Sequence, residues 1–268
     1  MIPKIIHYCW FGNAPKSAFI KKCMKTWHQY MPDYEIKEWN EKTFDIDSIP
    51  FVREAYKAKK WAFVADYVRL YALYTEGGIY MDTDVKVMRP FDEFLTYNFF
   101  SSHEKYDFFY AETEQKKLDE NYRLKNGNKY IEGFGVLSAV MGACPKLPYL
   151  KECLNYYNQL DFDLTSQHIN DYVIGKHITY VMTHYGYRFK DETQQLDNNM
   201  IIFPSYIFVG NMQYIRPDSY AIHLCNGSWN NINKFEYKIR NRFPQMAPFI
   251  GIFKRLLNKF SQIIKGKL

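Results

Sequence analysis

The sequence lacks most of the marks of a secreted, membrane-spanning or zinc-bound chain. Its five cysteines (Cys9, Cys23, Cys144, Cys153 and Cys225) form no CxxC pair and are odd in number. That pattern argues for a reducing compartment and against a disulfide framework or a zinc knuckle. The opening residues, MIPKIIHYCWFG, have no basic region ahead of a long apolar run, so no signal peptide is expected. No stretch reaches the roughly 18 apolar residues of a membrane span. Internal repeats and low-complexity linkers are absent as well. Acidic residues are missing from 239–268, which holds seven basic ones (Arg240, Arg242, Lys254, Arg255, Lys259, Lys265 and Lys267). Without that segment the chain has 28 basic against 29 acidic residues, so the net charge of +6 belongs to the tail. The body is near neutral, and nucleic-acid binding by it is not favoured.

Apolar and aromatic material, by contrast, is abundant. Of the 268 residues, 47% are hydrophobic and 19% aromatic. That is enough for a sizeable core in one large domain, or one domain plus an appendage, and it suits sugar or base stacking. KIIHYCWF (4–11) reads as a short buried strand and SAFIKKCMKTWHQYMP as a helix stopped at Pro32. YEIKEWN follows as a second strand. The order strand, helix, strand points to an α/β sheet of nucleotide-binding type. One long helix is expected from about Phe51 to Tyr74, ending at Glu76-Gly77-Gly78. IYMDTDVKVM then reads as a strand closed by Arg89-Pro90. Further on, NFFSSHE and FFYAETE are expected as strands, YIEGFGVLSAVMGACP as a strand or buried turn, YLKECLNYYNQL as a helix, and SYAIHLCNGSW as a late strand running into a polar turn. The tail 249–264 has apolar residues near helical spacing with lysine and arginine on the other face. It reads as an interfacial membrane helix or as a helix packed on the domain with a solvated basic face.

The chemistry concentrates around Asp82 and Asp84. In a regular strand residues i and i+2 share a face, so the two carboxylates converge and repel. A divalent cation reverses that cost, and oxygen ligands suit Mg²⁺ or Mn²⁺. Solvated aspartates at a strand end are the plain alternative. Asp66 and Arg69 lie i, i+3 on one helical face just upstream. They could bind a sugar's hydroxyls and a phosphate, or form an internal ion pair. His223 is a candidate third ligand, since imidazole accepts Mn²⁺. Ser228 can donate to a phosphate oxygen, and the Trp229 indole offers a donor with no acceptor. Trp10, at the end of the opening strand, is placed to stack on a base or to join the core.

The segments IPKIIHYCWFG, PDYEIKEWN, AFVADYVRLYALYTEGGIYMDTDVKV and YAIHLCNGSW occur in the order and at the spacing that resemble glycosyltransferase family 32, the DXD sugar transferases that include bacterial capsular polysaccharide enzymes. The resemblance spans about residues 1–230. It implies a GT-A type α/β fold, a Rossmann-like mixed sheet flanked by helices, with a nucleotide-sugar donor, a divalent metal (usually Mn²⁺) and retention at the anomeric carbon. By motif position it implies that Trp10 stacks on the base and that Asp66 and Arg69 hold the donor sugar. Asp82 would touch the ribose and the metal, Asp84 would ligate the metal directly, and His223 would be a further ligand. Ser228 and Trp229 would hold the leaving diphosphate. The middle departs from the family pattern. In IEGFGVLSAVMGACPKLP the residues Gly142, Ala143 and Pro148 match, but Leu147 replaces a histidine and an asparagine is missing; Glu132 is a polar candidate there.

These readings lead to a catalytic domain over 1–238 and a basic amphipathic tail over 239–268. The expected activity is metal-dependent glycosyl transfer from a UDP-sugar, or second a GDP-sugar, to a glycan or lipid-linked acceptor in cell-surface polysaccharide synthesis. The expected location is the cytoplasmic face of the membrane, reached through residues 245–268. Two alternatives remain. A haloacid dehalogenase type phosphatase also carries DxD after an apolar strand, but it needs Thr or Val where Lys86 stands. A non-catalytic nucleotide-sugar or lipid-surface binding protein would bind nucleotide without turnover.

Overall fold

The computed structural model describes residues 1–107, 109–160, 162 and 172–224, all within one unit, Met1–Cys225. The chain begins with a strand, β1 (Ile5–Cys9), a helix, α1 (Ala18–Tyr30), and a second strand, β2 (Glu35–Trp39), parallel to the first. The Ser17 hydroxyl caps α1 by accepting from the Ile20 N–H, which meets one of the orphan donors of a helix start.

The single helix expected from Phe51 to Tyr74 is two, α2 (Pro50–Lys57) and α3 (Trp61–Glu76). Lys59 between them has a φ of 56°. The Lys60 N–H donates to the Ala55 carbonyl and the Lys59 N–H to the Tyr56 carbonyl, both at 2.9 Å. This is a Schellman closure with lysine in the left-handed position where glycine is usual, so no glycine marks the break in the sequence. The far end of α3 stops at glycine as expected. Gly77 and Gly78 have φ of 69° and 100°, and a Cβ on Gly78 would lie 2.6 Å from the Ile5 carbonyl oxygen. Glycine removes both obstacles, so the chain passes directly from α3 into β3 (Gly78–Met81) beside β1.

The strand expected across 79–88 is also interrupted. β3 ends at Met81, and β4 (Val85–Val87) joins a different sheet. Asp82–Val85 is a turn, closed by the Val85 N–H donating to the Asp82 carbonyl at 2.9 Å. Aspartate is favoured at the first position of such turns, which is the physical reason for the break.

The remaining elements are β5 (Phe99–Lys105), α4 (Glu112–Gln115), β6 (Phe134–Val136), β7 (Val140–Ala143), α5 (Pro148–Tyr157), α6 (Ile174–Thr183), β8 (Gln194–Leu196), β9 (Met200–Phe203), β10 (Phe208–Val209) and β11 (Ala221–His223). Among the described residues of FFYAETE no strand forms. Phe108 lies outside the described residues, and the short α4 occupies the end of that stretch, where three glutamates and glutamines in a row of four suit a helical turn better than a strand.

Among the described residues the larger sheet has eight strands in the order β2-β1-β3-β7-β5-β9-β8, with β6 paired to β5; the smaller has the order β10-β11-β4. β7 is antiparallel to both β3 and β5, so β3 and β5 run the same way, as do β1, β2 and β9. This is the α/β class expected, a mixed sheet flanked by helices. Side chains alternate between two cores, as the period of two requires. Phe99, Tyr80 and Met141 pack with α2, α3, α5 and α6, whereas Phe100, Ile79 and Val140 pack with α1 and the smaller sheet. α1 is stitched to β4: the Trp27 indole donates to the Val85 carbonyl at 2.8 Å, and the Val87 N–H donates to the Thr26 hydroxyl at 2.9 Å. Among the described residues no helix is long and apolar enough to cross a membrane. The expected domain division at 238/239 and the amphipathic tail lie outside the described residues.

Candidate active site

The Asp82–Val85 turn is where the chain leaves the larger sheet for the smaller one. The last bond to the larger sheet comes from the Asp82 N–H, which donates to the Ala139 carbonyl at 3.0 Å. The smaller sheet then sets His223 opposite Val85, and the Leu224 N–H donates to the Asp84 carbonyl at 3.1 Å. Sequence position 223 is thereby brought to the turn. His223 Nε2 lies 3.2 Å from Asp84 Oδ1 and 3.7 Å from Asp82 Oδ2. One ligand atom from each of the three residues falls within 4.8 Å of the others. The two aspartates converge through a turn, not through the shared face of a strand as their spacing suggested. Their side chains and that of His223 are 24%, 13% and 18% exposed, open enough for a ligand to reach. Two carboxylates and an imidazole fit a divalent cation of the Mn²⁺ or Mg²⁺ type.

Behind this cluster lies a buried ion pair. Arg69 Nη2 is 2.8 Å from Asp66 Oδ1 and Nη1 is 3.5 Å from Asp82 Oδ1. Arg69 also donates to the Ser138 carbonyl at 3.0 Å and to the Ala65 carbonyl at 3.3 Å, and its guanidinium sits 4.6 Å from the Tyr80 ring centre. The i, i+3 spacing of Asp66 and Arg69 on α3 makes this reach possible. The Tyr80 hydroxyl, which the sequence reading passed over, donates to Asp82 Oδ1 at 2.8 Å. Burial pushes the Asp66 carboxyl up to about 7; Arg69 pulls it back and Asp82 pushes it further. Burial alone would lower Arg69, but Asp82, Tyr80 and Asp66 outweigh it and raise it above its ordinary value.

Trp10 follows β1, half-buried against the core of the α1 face. Its indole N–H donates to the Ala14 carbonyl at 2.6 Å, and Lys16 Nζ lies 5.1 Å from its ring centre. Ser228 and Trp229 lie outside the described residues. Glu132 is engaged elsewhere, in an ion pair of 2.6 Å with Lys176.

One acidic residue was missed from sequence. Glu104 lies near the end of β5, partly buried, with the Tyr106 hydroxyl donating to Oε1 at 3.1 Å. Burial raises its carboxyl, His223 and the Tyr106 bond lower it, Asp82 raises it again and Arg69 lowers it. The sequence carries no clear signal for it: in FFSSHEK only the two phenylalanines are apolar, and His103 and Lys105 flank the carboxylate.

Residues 17–101 match the family model described as glycosyltransferase sugar-binding region containing DXD motif. That stretch, about a third of the chain, resembles this family. The DXD region holds Asp66, Arg69, Asp82 and Asp84, while Trp10, Glu104 and His223 lie outside the match. Over 103 residues the chain is 34% identical to inositol phosphoceramide mannosyltransferase 3 of Schizosaccharomyces pombe, covering 36% of this chain and 28% of that protein. Over 104 residues it is 30% identical to the initiation-specific alpha-1,6-mannosyltransferase of Candida albicans, covering 35% of this chain and 27% of that protein. The chain thus spans little more than a quarter of the length of these curated relatives. Among solved structures the chain is similar to PaToxG glycosyltransferase, with a TM-score of 0.47 at 16% identity over 68% of this chain and 69% of that one. It is also similar to the galactosyltransferase LgtC, with a TM-score of 0.44 at 12% identity over 87% of this chain and 94% of that one.

Proposed function

We propose that the protein is a metal-dependent glycosyltransferase that moves a sugar from a nucleotide-sugar donor, a UDP-sugar by preference, to a glycan or lipid-linked acceptor with retention at the anomeric carbon. The observation that carries this reading is the convergence of Asp82, Asp84 and His223 directly in front of the buried Asp66–Arg69 pair. Asp84, Asp82 and His223 would hold Mn²⁺ or Mg²⁺. When bound, such an ion stabilises negative charge on a leaving diphosphate.

The chain's own residues supply the rest. Arg69 keeps Asp82 and Asp66 in place and sets a fixed positive charge behind the cluster, in a setting where preorganised charge counts for more than in water. Asp66 and Arg69 line the donor-sugar side, Asp82 also reaches the ribose, Trp10 stacks on the base, and Ser228 and Trp229 hold the leaving diphosphate. In the transfer the acceptor oxygen bonds to the anomeric carbon as the carbon–oxygen bond to phosphate breaks, and the acceptor's proton passes to the departing phosphate. Holding donor and acceptor together contributes much of the remaining acceleration.

The test is donor hydrolysis with UDP- and GDP-sugars in Mn²⁺ or in EDTA, with Asp84→Ala as control. The two curated relatives are named as mannosyltransferases, so GDP-mannose joins the panel. Metal-dependent release of nucleotide, lost in the variant, supports the reading. Nucleotide binding without turnover in any donor, with acceptors supplied, would make the chain a binding protein instead. The proposed setting is cell-surface polysaccharide synthesis on the cytoplasmic face of the membrane, with residues 245–268 docking on anionic lipid. A protein cut before residue 245 that still pelleted with anionic liposomes would remove the tail from that role.

A further inference from the structure

We infer that Glu104 is a sugar-contacting residue, its carboxylate accepting hydrogen bonds from hydroxyls of the sugar that the nucleotide donor carries. The inference rests on the reading of the Asp82–Asp84–His223 cluster as a donor site.

Placement comes first. β5 runs parallel to β3 with β7 between them, so the carboxyl ends of β3 and β5 share one edge of the sheet. That edge is where open α/β sheets bind ligands. Two strand spacings separate β3 from β5, roughly 10 Å, a gap of the size of one sugar ring with its contacts. Orientation follows from alternation. The Ser102 hydroxyl accepts from the Phe208 N–H at 3.0 Å, so Ser102 faces the smaller sheet. Glu104, two residues on, faces the same way, toward the sheet that carries His223.

The surroundings are shaped around the carboxylate. At Gly210 a Cβ would come within 3.1 Å of Glu104 Cγ and 3.2 Å of Oε1; the missing side chain leaves the group its room. The Tyr106 hydroxyl donates to Oε1 at 3.1 Å and lies 3.2 Å from the Gly210 carbonyl oxygen, which fixes the carboxylate's rotation. Among the described residues no lysine or arginine forms an ion pair with Glu104. A recessed carboxylate with no lysine or arginine in contact carries a desolvation cost that a hydroxyl-bearing ligand offsets. The ligand's diphosphate is excluded by like charge, so the part that reaches Glu104 is the uncharged sugar.

The test separates sugar from nucleotide. The full-length protein with Mn²⁺ is titrated calorimetrically with UDP, GDP, UDP-glucose, UDP-galactose, UDP-N-acetylglucosamine and GDP-mannose. The tightest sugar nucleotide is then compared with its parent diphosphate in Glu104→Ala and Glu104→Gln. The diphosphate Kd is expected to stay within about twofold, which also reports an intact fold. The sugar-nucleotide Kd is expected to rise about tenfold or more in Glu104→Ala, the worth of one hydrogen bond to a charged group. A smaller rise is expected in Glu104→Gln, which keeps an acceptor oxygen. Tyr106→Phe, which leaves the carboxylate in place, is expected to shift the same constant in the same direction by a smaller factor. Equal changes in both constants, or no change in either, would overturn the role of Glu104. Failure of wild-type protein to bind both UDP and GDP would instead overturn the proposed function, and this inference with it.

Discussion

Replacing Arg69 by methionine tests the electrostatic frame of the site without any substrate. Arg69 and Asp66 are 5% and 7% exposed, and methionine keeps much of the packing volume. The change removes the 2.8 Å ion pair to Asp66, the longer contact to Asp82, two carbonyl hydrogen bonds and the stack on Tyr80. Breaking one partner of a buried pair costs about 3–5 kcal/mol, because the other charge is left uncompensated. The cost must depend on pH. Asp66 already has a folded-state pKa raised to about 7 from an ordinary 3.8. Between those values the folded state holds a proton that the unfolded state has released. Stability from this group is therefore full below about pH 4 and is lost as pH rises toward 7. Without Arg69 the folded pKa moves higher still, so the penalty of Arg69→Met is expected to be smaller at pH 5.5 than at pH 8. Urea unfolding followed by tryptophan fluorescence at both pH values reads this directly. Adding Asp66→Asn to the variant is expected to restore about half of the loss or more, since it removes the stranded charge. A penalty below about 1 kcal/mol, or one equal at the two pH values, would refute the uncompensated-charge argument.

Three further outcomes follow from particular contacts. Asp84→Ala is expected to weaken Mn²⁺ binding by about 100-fold or more in a calorimetric titration, because losing even an outer partner of a metal ligand costs roughly 10–100-fold; an unchanged affinity would remove Asp84 from the ligand set. Gly142→Ala would place a Cβ 2.0 Å from Phe100 Cε1, and an overpacking loss of about 1–3 kcal/mol or more is expected in denaturant unfolding. Phe100→Leu in the same chain is expected to recover part of it. In Thr179→Val the Val136 N–H loses the hydroxyl to which it donates at 2.8 Å, and the Gly175 carbonyl loses its donor at 2.5 Å. The expected loss is about 1–3 kcal/mol, and wild-type stability would show that Val136 finds another acceptor.

The parts of this fold that were legible in the sequence are those written in local chemistry. β1, α1 and β2 follow from apolar spacing and a serine cap, and the end of α3 from two glycines. The break between α2 and α3 was hidden because Lys59, not glycine, takes the left-handed conformation. The turn at Asp82 was hidden because Ile79–Met88 is apolar enough to read as one strand, while tertiary pairing sends its halves to different sheets. At the site, Asp66 with Arg69 was legible from helical spacing. His223 was a candidate from residue type, but its meeting with Asp84 depends on β11 pairing with β4, which no local pattern encodes. Glu104 went unseen because its neighbour in sequence, His103, turns to the opposite face, where Tyr187 bonds its ring. Strand register alone separates the two.

The pairing of β4 with β11 closes a loop of about 140 residues, and closing so long a loop carries an entropic cost before its contacts form. Long-range strand pairing of this kind is slow. Asp82, Asp84 and His223, the proposed cation donors, are therefore expected to come together late in refolding, after the local β1-α1-β2 unit has had time to form. Cation affinity becomes a clock for the last stage: in a stopped-flow refolding experiment, Mn²⁺ binding should lag behind the recovery of helical circular dichroism, and the length of that lag measures how long the smaller sheet takes to dock.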